Sequence, residues 1–208
     1  MNRKPARSGA VVEGVDWDRW SVVLCKPDAV ERGLVDRVLA RLSLPGVQVL
    51  GRTEVTVAPW QIHVHYWDML VDRDWFPDRD IPACLDAEFA GRAVVVALAY
   101  GRRGIHGWLR AQLGHYDPTV AAAGTIRGDL GDDSLAQALA ERRLIRNLVH
   151  TSDDPAAACR DFGTWYGAAR RDLLLPHQRT TTPRATPIHP WEEPSARPSR
   201  RLGARCRS

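Results

Sequence analysis

Three short stretches of this chain carry residue types that do chemistry when they meet. Lys26-Pro27-Asp28 follows directly on the apolar run 21–25. Proline cannot extend a central strand, so the run ends at the lysine, and side chains at strand ends commonly line a site. Gly124-Thr125-Ile126-Arg127-Gly128-Asp129 sets one arginine between two glycines, in a segment too short for helix or strand. Such a loop can present a planar guanidinium fork to two phosphate oxygens. Asn147-Leu148-Val149-His150-Thr151-Ser152-Asp153 places a histidine at the end of an apolar run, just ahead of the helix start Asp154-Pro155. The free amides of a helix N-terminus attract anions. A neutral imidazole is a competent nucleophile near pH 7 when an acceptor orients its other nitrogen. Each stretch alone has an ordinary structural reading: a turn, a surface loop pairing Arg127 with Asp129, a core histidine. Brought together, the lysine and arginine would set positive charge for a phosphate beside a nucleophile-competent histidine.

Positions 26, 127 and 150 need a scaffold to meet. The run 21–25 reads as a buried strand. Leu34, Val35, Val38, Leu39 and Leu42 recur at helical spacing until Pro45-Gly46 ends the helix. Residues 47–57 alternate apolar and polar and predict a second strand, and 58–70 predict a helix with Pro59 in its first turn. Residues 93–99 form a strand by β-branched content. A short helix is expected over 105–113 and a further strand over 144–149, while 78–91 reads as irregular. Asp154 caps a last helix with Pro155 at its first position and Phe162, Trp165 and Tyr166 on its inner side. Strands interrupted by helices predict an α/β or α+β sandwich, of which the split βαβ, ferredoxin-like arrangement is one solution.

Composition limits the alternatives. The chain has 208 residues, with 29 Lys and Arg against 25 Asp and Glu. Seven arginines and two glutamates fall in 176–208, while 1–18 balance, so 19–175 carry a net charge of only −1. The pI near 9.1 therefore belongs to the tail and argues against a nucleic-acid-binding domain. Six of the 14 prolines also lie in 176–208, which reads as a disordered basic Pro/Arg-rich extension. The expected division is an N-terminal extension over 1–18, one folded domain over 19–175 and the tail over 176–208. No apolar run approaches the roughly 18 residues of a membrane span, and Met1-Asn2-Arg3-Lys4 leads into no secretory apolar stretch. Cys25, Cys84, Cys159 and Cys206 have no paired spacing, so neither zinc nor disulfides are expected, and reduced cytoplasmic thiols are.

The order Lys26-Pro27-Asp28-Ala29-Val30, Arg32-Gly33-Leu34-Val35, His65-Tyr66, Gly124 to Asp129, then Asn147 to Asp153 resembles the nucleoside diphosphate kinase family over about 20–166. The resemblance implies an α+β, ferredoxin-like antiparallel sheet covered by helices. It implies phosphate exchange between nucleoside triphosphates and diphosphates, with His150 taking the γ-phosphoryl group and passing it on. Lys26, Arg110 and Arg127 would hold phosphate oxygens, Arg110 being matched by counting back from Leu113-Gly114 and Pro118. Tyr66 would place a hydroxyl beside the transferred group, Asn147 would touch the sugar, and Ser152 would join the acid that orients His150. Mg²⁺ would bridge the phosphates through water and substrate oxygens rather than a protein cage, and a homo-oligomer is implied.

Four departures from the family pattern stand out. The family's orienting Glu is here Asp161, whose carboxylate is withdrawn by roughly 1.5 Å. Tyr116 replaces a phosphate-contacting Thr. The base-stacking aromatic falls on Trp75 or Phe76, within Asp72 to Pro77. Between Arg127 and Asn147 lie ten more residues than the pattern has, and 132–143 are rich in helix formers. Such an added helix could remodel specificity or assembly. The shortened acid leaves an alternative open: a nucleotide-binding regulatory protein of the same fold with weak or no turnover.

Overall fold

The computed structural model of the protein describes residues 14–71 and 79–174. Trp75, Phe76 and the tail over 176–208 lie outside these residues. Four strands form one sheet: β1 (Trp20–Cys25), β2 (Gln48–Thr56), β3 (Ala93–Tyr100) and β4 (Val149–Thr151), in the order β2-β3-β1-β4. Every neighbouring pair is antiparallel, which is the ferredoxin-like arrangement. β1 and β3 are central and buried on both faces, which is why their sequences run apolar without alternation. β2 is an edge strand with a half-exposed pattern. Its Gly51, at φ +66°, supplies the left-handed residue of a bulge in which Gly51 and Arg52 stand opposite Ala97 alone.

Alternation in β1 sends Val23 and Cys25 to one face, Val22 and Leu24 to the other. The first face packs on α2 (Val35–Leu42), α6 (Ile105–Leu113) and α7 (Ile126–Leu130), through Val38, Leu42, Ile105, Leu109 and Ile126. The second packs on α3 (Pro59–His65), α5 (Ile81–Phe89) and α9 (Pro155–Trp165), through Ile62, Leu85, Phe89 and Phe162. Among the described residues no helix is long and apolar enough to cross a membrane.

Several elements form as their residues predict. α6 spans the expected range, and α9 starts at Pro155 with Asp154 Oδ1 accepting from the Ala157 amide at 2.8 Å. Within the extra segment, α8 (Leu135–Ala140) forms behind Ser134, whose hydroxyl accepts from the Gln137 amide at 3.1 Å. Buried Asp133 anchors that segment by receiving Arg143 at 2.5 and 2.9 Å and the Arg146 amide at 2.8 Å.

Five expectations need correction. Lys26-Pro27-Asp28 is not a bare turn: Pro27 opens a short helix, α1 (Pro27–Glu31). The helix expected over 58–70 is two, α3 and α4 (Trp67–Val71), broken where Tyr66 leaves helical geometry. The stretch read as irregular is helical over Ile81–Phe89, because Asp80 caps the Ala83 amide and Pro82 suits the first turn of α5. The arginine segment is likewise helical: Thr125 Oγ1 accepts from the Gly128 amide at 3.2 Å and starts α7, which carries Arg127. The last strand also begins later than expected. Only 149–151 pair with β1, so His150 stands within β4, opposite Leu24.

Candidate active site

His150 is half-buried on the short edge strand β4 and opens into a cavity of about 820 Å³. Its face of the sheet is that of Leu24, so the ring meets Tyr66 and His65, with centroids 5.3 and 4.9 Å away. Burial, and then the neighbouring His65, Lys26, Arg127 and Arg110, lower its pKa well below the usual 6.5. The imidazole is therefore unprotonated at neutral pH and keeps a free lone pair.

Five cationic side chains line the same cavity, of which Lys26, Arg110 and Arg127 are those the sequence singled out, with Arg79 and Arg160 beside them. Lys26 is delivered by the end of β1; burial pushes its pKa down to about 8 against the opposing pull of Asp28. Its ammonium lies 6.0 Å from the Tyr66 ring centre. Arg110 comes from the last turn of α6, half exposed and ion-paired with Asp153 at the rim. Arg127 is buried, and burial holds its pKa down to about 10. Its Nε donates to Asn147 O at 3.2 Å, Nη1 to Gly114 O at 3.2 Å and Nη2 to Val149 O at 2.7 Å. Asp129 pairs with Arg41 instead. Arg127 thus braces the segment bearing His150 and retains one N–H on each terminal nitrogen for a ligand.

Tyr66 Oη, Asn147 Oδ1 and His65 Nε2, all in the cavity wall, are buried and have no hydrogen-bond partner among the described residues. Burial of Tyr66 raises its pKa, so its phenol keeps the proton. Asn147 donates Nδ2 to the Tyr116 carbonyl at 2.7 Å, which orients its free oxygen. Tyr116 itself is half exposed at the rim, its ring 4.4 Å from His115. Leu135 and Leu139 of α8, with Leu144 and Ile145, add an apolar wall, so the extra segment shapes this cavity.

Asp161, on α9, is 1% exposed. Ser152 Oγ donates to its Oδ2 at 2.7 Å and accepts from the Val22 amide at 3.1 Å. Asp161 Oδ1 lies 3.0 Å from His65 Nδ1, which also receives Trp165 Nε1 at 3.1 Å. The shorter acid therefore contacts Ser152 and His65, and approaches His150 only as part of a trio whose ligand atoms lie within 4.8 Å of one another. Two imidazoles and one carboxylate would suit a borderline transition ion rather than Mg²⁺. His65 and Asp153 were not singled out as site residues by sequence reasoning. His65 was visible only as the partner of Tyr66, and Asp153 only as the residue after Ser152.

A ferredoxin-like sheet whose edge histidine shares a cavity with Lys26, Arg110 and Arg127 defines a phosphotransferase class of site. The family described as nucleoside diphosphate kinase matches residues 20–170. A nucleoside diphosphate kinase of Synechococcus sp. (strain JA-3-3Ab) is 33% identical over 144 residues, 69% of this chain and 85% of that protein. Among solved structures, an NDP kinase from Pyrobaculum aerophilum is similar at 28% identity and TM-score 0.60, covering 71% of this chain and 95% of its own. A transition-state mimic of the Borrelia burgdorferi nucleoside-diphosphate kinase, with bound vanadate and ADP, shares the fold at TM-score 0.65 and 24% identity, covering 71% and 86%. The chain belongs to the nucleoside diphosphate kinase family and is a transferase.

Proposed function

We propose that this enzyme moves the terminal phosphoryl group of a nucleoside triphosphate to a nucleoside diphosphate through a phosphohistidine at position 150. The observation that carries the proposal is the His150 ring sharing one cavity with Lys26, Arg110 and Arg127; burial and those cations lower its pKa well below 6.5, which favours the neutral nucleophile. A ring nitrogen attacks the γ-phosphorus, the N–P bond forms, and the bond to the β,γ-bridging oxygen breaks with its electrons leaving on the diphosphate. A second diphosphate then attacks the phosphohistidine through a terminal oxygen and restores the neutral imidazole. Lys26 and Arg110 hold phosphate oxygens, Arg110 turning from Asp153 to the ligand, and the two remaining N–H groups of Arg127 complete the set. The unpartnered Tyr66 hydroxyl lies beside the transferred group, and the free Asn147 oxygen accepts from a sugar hydroxyl. Tyr116 flanks the phosphates; the base-stacking aromatic expected at Trp75 or Phe76 lies outside the described residues. Ser152 and Asp161 stabilise the imidazole from behind.

The donor set suits Mg²⁺ carried in with the nucleotide. The carboxylates lining the cavity are Asp68 and Asp153, both engaged by arginines, which leaves no oxygen cage among the described residues. Substrate oxygens and water would hold the ion, with Asp153 the cavity carboxylate that would approach its water shell; it would supply charge neutralisation on the phosphates. We further place catalysis in residues 19–175, with 1–18 and 176–208 as extensions, in a cytoplasmic homo-oligomer without membrane or nucleic-acid partners.

Labelled ATP should give an acid-labile, alkali-stable phosphoprotein, and His150→Ala should abolish it. A native chain that binds nucleotide and takes no label would instead support the regulatory alternative. Phosphate exchange measured across a panel of nucleotides would define the substrate range.

A further inference from the structure

Asp28 does not line the cavity, yet its side chain holds the backbone from which the nucleophile projects. Leu148 has φ +71°, a conformation that non-glycine residues rarely adopt. The Val149 amide donates to Asn147 O at 2.8 Å, which closes a three-residue γ-turn around Leu148. This turn interrupts side-chain alternation. In a continuous strand Asn147 and His150, three apart, would face opposite sides, and Leu148 and Val149 would too. Instead Leu148 and Val149 both enter the core beneath α2 and α6, while Asn147 and His150 both line the cavity.

The turn leaves the Leu148 N–H fully buried, where an unpaired donor is costly. Asp28 Oδ2 accepts it at 2.9 Å, across 120 residues of sequence, and the Lys26 amide donates to Leu148 O at 2.8 Å. Asp28 is 4% exposed, and its Oδ1 has no partner among the described residues, so this is the carboxylate's single hydrogen bond there. Arg127 braces the carbonyls on either side of the turn.

We propose that Asp28 is a positioning residue: by accepting the Leu148 amide it keeps the γ-turn that sets Asn147 and His150 on one wall of the cavity. The proposal rests on phosphoryl transfer through His150. Its test is single-turnover labelling of the full chain by labelled ATP, with steady-state exchange and thermal melting, for Asp28→Ala, Asp28→Asn and Asp28→Glu. Asn keeps an acceptor at the same reach and should label within about threefold of the native rate. Ala should lose about 10²-fold in kcat, with a smaller rise in KM from the displaced Asn147, because the ring is misaimed while the phosphate ligands remain. Glu keeps the charge but displaces the acceptor, so it should fall below Asn; this order decides the matter even if the Ala variant does not fold. A folded Ala variant that labels at the native rate, or Glu equalling or exceeding Asn, overturns the positioning role. A native chain that takes no label on His150 overturns the transfer reading itself, a distinct result.

Discussion

Removing the charge of Asp161 while keeping its shape tests whether this carboxylate is felt at the nucleophile. When a neutral imidazole takes a phosphoryl group, positive charge develops on the ring. The acid stands within 4.8 Å of the His150 ligand atom. A full charge at that distance, in a buried site of effective dielectric about 20, interacts by about 3.5 kcal/mol. Half a charge in the transition state gives about 1.7 kcal/mol, so Asp161→Asn should slow transfer by between about 20- and 300-fold. The asparagine oxygen can still accept from Ser152 Oγ, so the melting temperature should change little beside the rate. Rapid-quench measurement of phosphoenzyme formation reads the effect apart from product release. A folded Asn variant labelling within threefold of the native chain would refute the electrostatic role and leave Asp161 a structural acceptor for Ser152 Oγ.

The pH profile follows from two shifted groups. Lys26, held down to about 8, loses its charge as pH rises through that value, so kcat/KM should fall above pH 8. A bound polyanion favours the charged amine, so the same limb in kcat should lie higher. On the acid side His150 stays neutral well below 6.5, and a loss of activity centred at 6.5 would contradict its burial among cations. Gly128→Ala places a Cβ 2.2 Å from the Ala122 carbonyl oxygen. Backbone must shift to relieve it, so urea unfolding should show a loss of about 1–3 kcal/mol or more. Deleting 176–208 should leave exchange rates within about twofold; loss of activity would contradict a solvated extension.

Local pattern was enough for much of this molecule. Lys26, Arg127 and His150 stand out because each sits beside residues that punctuate backbone structure, and all three reach one cavity. The cap Asp154 with Pro155, and the helix formers of 132–143, act within one turn of chain and so are legible from composition. The departure at Asp161 was equally visible in sequence.

Long-range contacts decided the rest. Arg127 could be read as a free phosphate ligand, but three carbonyls brought close by folding claim most of its donors. Asp161 was weighed against its distance from His150, whereas Ser152 and His65 are what it touches. The run 144–149 looks like continuous strand, and nothing local reveals that Leu148 turns left-handed. That turn depends on a carboxylate 120 residues away, and hydrogen bonds between segments so distant leave no periodic trace in the chain that makes them.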